Sequence, residues 1–257
     1  MIDILAEMGL SWQQWCLAFF CAVLIGFTKT GIGGIGVLIA PLMAMAFPAA
    51  QSPGVVLPML VMADIFAVAY YRRHAVWQHV LKPMPWAVAG IIAAFAVLYC
   101  ADFNNAIFER IIGGIILFCL AMMAFQSWRG ADAPVPGHWS VAAGAGVLGG
   151  ITTMIANAAG PIWMVYLTAM RLPKYEFIGT GAWFFMILNA FKLPWQAGLG
   201  NISKGSLLFD ALALPAIAAG AFLGVAVVKR INQRFFTICI YVLATIAAVK
   251  LLAFPRG

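Results

Sequence analysis

Three runs of this chain, residues 83–101, 111–128 and 211–228, contain no Asp, Glu, Lys or Arg. Each is close to the ~20 residues that a helix needs to cross ~30 Å of hydrocarbon at ~1.5 Å per residue. Inside a bilayer the backbone must satisfy its own hydrogen bonds, which leaves helices or closed barrels. Barrel strands need ~10-residue segments that alternate apolar and polar, and these runs do not alternate. The 257 residues are 65% hydrophobic and 9% charged, against about 25% charged in soluble domains. The sequence therefore predicts an all-α, multi-pass integral membrane protein whose surroundings are the lipid bilayer.

Charge and chemistry exclude other classes. The net charge is +7, but the basic residues fall mostly in short loops between apolar runs. There they set topology and meet anionic headgroups, and nucleic acid is not expected as a partner. Cys16, Cys21, Cys100, Cys119 and Cys239 form no C-x-x-C pair, and His74, His79 and His138 lack metal-ligand spacing. No disulfide framework, metal or cofactor is expected. There is no P-loop, H-E-x-x-H or G-x-S-x-G motif, so the chain reads as neither an enzyme nor an ATP-driven pump. Residues 1–12 carry Asp3 and Glu7 where a signal peptide would be basic. They read as a short amphipathic segment at the interface.

Residues 13–46 form one long apolar region, interrupted at 28–36 by "TKTGIGGIG". Spans follow at about 53–71, 83–101 and 105–127. A Pro/Gly/Ala-rich linker, 129–138, comes next. A second long apolar region, 139–170, is interrupted near 152–160, and spans follow at about 177–192, 206–228 and 234–253. A shift of 124 residues places Gly26 on Gly150, Thr28 on Thr152, Gly36 on Gly160 and Arg110 on Arg234. The chain reads as one transmembrane domain, 1–257, built of two homologous four-segment repeats at about 13–128 and 139–253.

A straight helix over 13–46 would be about 51 Å long, too long for one span. The region is either a broken span or a re-entrant hairpin of two half-helices. In the hairpin arrangement each repeat crosses the membrane an odd number of times, so the second is inverted. Lys29 lies in the membrane either way, and the other 14 of the 15 Lys and Arg divide 8 to 6 for the broken span and 9 to 5 for the hairpin. The sharper asymmetry favours inverted repeats with both termini outside the cytoplasm.

Polar residues inside the spans mark the candidate site. A lysine at mid-membrane costs roughly 2.5–3.5 kcal/mol on insertion scales, and Lys29 sits deep, between long apolar stretches. The glycines after it would open the helix. A half-helix starting near Gly33 and Gly34 would aim free N–H groups and a positive dipole end into the gap. Thr28 and Thr30 add hydroxyls. The second repeat answers with "GGITTMIANAAGP", 149–161, which supplies Thr152, Thr153 and Asn157 but no lysine. Asn157 is placed to cap the second half-helix and Pro161 to occupy its first turn. Two facing breaks with donor-rich backbone describe a small-anion site of the kind transporters build at the midplane. Asp64 could hold a proton, pair with Lys29 or face a polar cavity. Asn189 corresponds to it within one position. Lys192, just before Leu193-Pro194, and Asp210, near the start of its span, read as interfacial, and Asp64 with Lys192 are candidates for coupling or an ion pair. Trp77, Trp86, Trp128, Trp139 and Trp195 fall at span ends as an aromatic belt would place them.

Three motifs in order, "GFTKTGIGGIG…P" (26–41), "GGITTMIANAAGP" (149–161) and "IGTGAWFFMILNAFKLP" (178–194), resemble the TauE/SafE family of sulfite exporter-like permeases across nearly the whole chain. The resemblance implies a secondary transporter in the bacterial inner membrane. Its substrate would be sulfite, thiosulfate or a small organosulfonate, and its direction export. Where the family is richer in glycine, this chain has "NAAG", so Asn157 would meet the substrate through its side chain. An anion channel or facilitator and a non-transporting assembly or scaffold protein are the alternatives, and a homo-oligomer is compatible with all three.

Overall fold

The computed structural model describes residues 9–30, 35–101, 103–129, 139–227 and 233–255. Among them there are eleven α-helices and no strand. Helix α1 (Trp12–Thr30) is followed by a 3₁₀ turn (Ile35–Leu38) and the short α2 (Ile39–Ala46). Next come α3 (Ser52–Tyr71), a 3₁₀ turn (Arg72–His74), α4 (Trp77–Leu81), α5 (Met84–Cys100) and α6 (Asn105–Arg129). The second half repeats the order with α7 (Trp139–Ala156), the short α8 (Gly160–Ala169), α9 (Lys174–Gly198), α10 (Lys204–Val227) and α11 (Gln233–Ala253). Among the described residues, six stretches are long and apolar enough to cross a membrane: Ser52–His74, Trp77–Cys100, Asn105–Trp128, Trp139–Ala156, Lys174–Gly198 and Lys204–Ala226. The protein is a multi-pass membrane protein. Residues 1–8 and 130–138, which hold most of the amphipathic segment and nearly all of the linker, lie outside the described residues.

The first apolar region doubles back on itself. Ser11 and Gln14 form a capping box that starts α1, with the Ser11 N–H donating to Gln14 Oε1 at 2.8 Å and the Gln14 N–H to Ser11 Oγ at 3.4 Å. Gln14 Nε2 then donates to the carbonyl of Ala46, at the far end of α2, at 3.0 Å. The start of α1 and the end of α2 are therefore side by side. Ala18, Cys21, Ala22 and Ile25 of α1 share one buried cluster with Ile39, Met43 and Ala46 of α2. The break begins later than the sequence predicts, because α1 stays helical through Thr28, Lys29 and Thr30. In the second region α7 runs to Ala156 and takes in Thr152 and Thr153, while Pro161 sits in the first turn of α8 as expected.

Long helices pair across the two halves of the chain. Helix α1 lies along α10, with the Trp15 and Phe209 rings 5.5 Å apart near one end. Near the other end a Cβ on Gly26 would overlap the Ile217 carbonyl, and one on Gly220 the Val23 carbonyl. Helix α7 lies along α5 in the same way: Gly150 is pressed against Ala87 and Ile91, and Gly90 against Val147. The two contacts match residue by residue. Val23 and Gly26 map to Val147 and Gly150 by a shift of 124, and Ala87, Gly90 and Ile91 map to Ile217, Gly220 and Ala221 by a shift of 130. Without a hydrophobic drive between helices in lipid, such close backbone approach is what packs them. Helices α3 and α9 run antiparallel: Gly54 meets Asn201, Asp64 meets Asn189, and Gly179 meets Tyr71. Helix α6 packs on α11, where Gly113 approaches Ala248.

Pro194 does not end its helix. The sequence places the end of this span near 192, but α9 continues to Gly198 with Pro194 inside. One backbone bond is lost at Pro194, yet the helix continues, and this moves Lys192 from a helix end to a helix interior.

These contacts generate a stability prediction. Gly26→Ala and Gly150→Ala drive a methyl into backbone atoms, and each should lower stability by about 1–3 kcal/mol. Gly114→Ala, where nothing lies within 4 Å, should leave it unchanged or slightly raised. Thermal unfolding of the purified variants in detergent checks this.

Candidate anion site between the two breaks

Lys29 lies in the last turn of α1, and its Nζ is 2.7 Å from Asp64 Oδ1 on α3. The other carboxylate oxygen accepts from Asn189 Nδ2 of α9 at 2.6 Å. Asp64 is thus held from two helices and is fully buried, while the Lys29 side chain keeps 14% of its surface exposed. The ammonium also sits 4.4 Å from the centre of the Phe185 ring, in cation–π range. Of the roles open to Asp64 in the sequence, pairing with Lys29 is the one the structure adopts.

A second cation lies at the other break. Lys192 is fully buried, which corrects its reading as interfacial. Its Nζ donates to the Thr153 carbonyl at 3.1 Å, to Thr153 Oγ1 at 2.8 Å and to Asn157 Oδ1 at 2.6 Å. An ammonium has three N–H donors, and all three have acceptors here. Asn157 in turn donates from Nδ2 to the Pro53 carbonyl at 2.8 Å, tying the second break to the start of α3.

Asn157 does not cap α8. The N-cap position belongs to Ala159, which makes no side-chain cap bond. Asn157 instead follows the end of α7 with φ +51°, a left-handed conformation that asparagine adopts more readily than most residues. That turn breaks the helix and leaves the amide free to serve Lys192 and Pro53.

A cavity of about 130 Å³ lies between the breaks. Thr28, Lys29, Thr153, Asn157 and Asn189 contribute its polar wall. Gly36 and Gly160, equivalent by the shift of 124, line it at the starts of the 3₁₀ turn and of α8. Phe185, Phe177 and Trp163 form much of the apolar remainder.

Other expected residues stand elsewhere. Thr30 Oγ1 donates to the Ala221 carbonyl at 2.7 Å, and its own carbonyl accepts from Tyr71 Oη at 3.0 Å, so it fastens α1 to α10 and α3 away from the cavity wall. Thr152 donates back to Leu148 at 2.8 Å within α7. Gly33 and Gly34 lie outside the described residues. Asp210 is fully buried beside the cluster around Phe209, which corrects its interfacial reading. Neither of its carboxylate oxygens has a hydrogen-bond partner among the described residues. Trp77, Trp86, Trp128 and Trp139 are exposed, but Trp195 packs edge-on against Phe95, 4.9 Å between ring centres.

Sequence reasoning underrated one stripe. Asn189, Lys192 and Gln196 recur at intervals of three and four on α9, all three 0–1% exposed, and Gln196 Nε2 donates to the Met154 carbonyl at 2.9 Å. That spacing is one helix face. Pro194 concealed it by imitating a helix end.

Comparison with known proteins agrees with this architecture. The family model described as "Sulfite exporter TauE/SafE" matches residues 18–251. No curated protein and no solved structure matches the chain. A match over nearly the whole chain, on a multi-pass helical protein, settles the assignment: the chain belongs to the TauE/SafE sulfite exporter family of membrane transporters.

Proposed function

We propose that this protein is a secondary carrier that exports a small sulfur-containing anion, such as sulfite, thiosulfate or an organosulfonate, across the bacterial inner membrane. The substrate occupies the cavity between the two helix breaks. One observation carries this reading: Lys29 lines the cavity with a side chain that keeps 14% of its surface exposed, while its counter-ion Asp64 is fully buried and off the cavity wall. An anion entering the cavity meets the cation first. Thr28, Asn189, Thr153 and Asn157 supply polar atoms beside it, and the start of α8 at Gly160 adds the positive end of a helix dipole.

The carrier is proposed to consist of two inverted repeats, 13–128 and 139–253. The antiparallel run of α3 against its counterpart α9 supports this, as do the matched contacts of α1 on α10 and α7 on α5. Repeats of this kind let one half rock against the other around a central site.

Lys29→Met tests the site. In vesicles the inserted variant should lose sulfite efflux, and full transport by it would remove the proposal. Removing Lys29 also strands Asp64, which costs about 3–5 kcal/mol for a broken buried pair. The double variant Lys29→Met/Asp64→Asn should regain most of that stability and still not transport. Thermal-shift measurements give an independent check. Sulfite or thiosulfate at about a hundred times its Kd should stabilise the wild-type protein by about 2.7 kcal/mol, and the double variant should show no shift. Equal shifts for simple carboxylates would contradict selectivity for sulfur anions.

A further inference from the structure

The side-chain nitrogens on the cavity wall, with one exception, already have acceptors. Lys29 is paired with Asp64, Asn189 Nδ2 donates to Asp64, and Asn157 Nδ2 donates to Pro53. The exception is Trp163. Its residue is 4% exposed, it lines the cavity, and its Nε1 has no hydrogen-bond partner among the described residues. A buried indole N–H normally finds an acceptor, and leaving it without one costs the desolvation of the donor.

The ring is firmly placed. Trp163 stacks on Phe184 with ring centres 3.5 Å apart and planes 7° from parallel, and Phe185 meets it edge-on at 6.2 Å. The direction of the N–H is therefore fixed by packing. Gly181, another cavity-lining residue, is its neighbour: a Cβ there would make ordinary contact with Nε1, at 3.5 Å. Trp163 also belongs to the first turn of α8. The first intrahelical bond of α8 runs from the Trp163 N–H to the Ala159 carbonyl at 2.9 Å, and Pro161 has no N–H. The amides of Gly160 and Ile162 precede that bond, at the positive end of the helix.

We propose that the Trp163 indole N–H, together with the N-terminal turn of α8 and the side-chain-free backbone of Gly181, is the docking point for an oxygen of the transported anion. This rests on the carrier reading above and assigns the cavity a second pole. Lys29 sets the sign of the ligand, and Trp163 fixes one oxygen by a neutral, directional bond. A neutral donor holds an oxyanion without trapping it, which suits a site that must release its cargo.

The test uses the full-length protein in detergent and inorganic sulfite as probe. Trp163→Phe removes the N–H and keeps the ring that stacks on Phe184. Loss of one hydrogen bond to a charged ligand should raise the Kd for sulfite by about ten- to a hundredfold, with the melting temperature of the unliganded protein unchanged. Gly181→Ala, whose methyl makes only ordinary contact, should weaken binding too. Trp195→Phe is the control, because its Nε1 is likewise without a partner but the residue lies off the cavity wall; its Kd should equal wild type. Wild-type affinity in Trp163→Phe, alongside lost binding in the Lys29→Met/Asp64→Asn variant, would overturn this inference and leave the carrier reading standing. Absence of binding by the wild-type protein to sulfite, thiosulfate and organosulfonates would overturn both.

Discussion

The carboxylate of Asp64 is buried among apolar helices, and a charge there is sustainable only if its partners are in place. Desolvating an ion costs several kcal/mol even after relaxation. Two helices supply what offsets it: α1 brings Lys29 and α9 brings Asn189. The consequence is geometric. The C-terminal turn of α1, where the first break begins, cannot move from α3 or α9 without stranding a charge. The cavity exists in its observed shape because this junction fixes three of the helices that surround it.

The two breaks correspond in sequence and are opposite in chemistry. A shift of 124 places Lys29 on Thr153, and a shift of 125 places Asp64 on Asn189 and Ala67 on Lys192. In the first half the break carries the cation and the span carries the acceptor, Asp64. In the second half the span carries the cation, Lys192, and the break carries the acceptors, Thr153 and Asn157. Each break is therefore pinned to an antiparallel span by an ammonium group, but only Lys29 faces the cavity. Under the proposed repeat arrangement, these few differences leave Lys29 as the positive pole of the proposed site.

How much of this could be read beforehand follows from the physics of each residue. The spans were legible because uncharged runs of ~20 residues have few other fates, and the breaks because glycine and asparagine interrupt apolar runs. Lys29 stood out through the cost of its position. Lys192 did not, since a lysine before proline resembles a helix end, and only the run of the helix through Pro194 and the burial of Lys192 show otherwise. Asn157 was expected as a cap because capping preference is local, whereas its left-handed turn answers to Lys192, 35 residues away in sequence. Trp163 was invisible as a donor: its role depends on which neighbours accept hydrogen bonds, and no local pattern encodes that.

The central claim is that an anion sits between the two breaks, at the pole set by Lys29. The most direct measurement is an experimental structure of the protein with selenite, a heavier analogue of sulfite, using anomalous scattering to place the selenium. The account predicts one strong peak inside the cavity, within contact range of Lys29 and Trp163, that disappears in the Lys29→Met/Asp64→Asn variant. A peak elsewhere in the membrane-embedded region, or an empty cavity at concentrations that saturate transport, would contradict it.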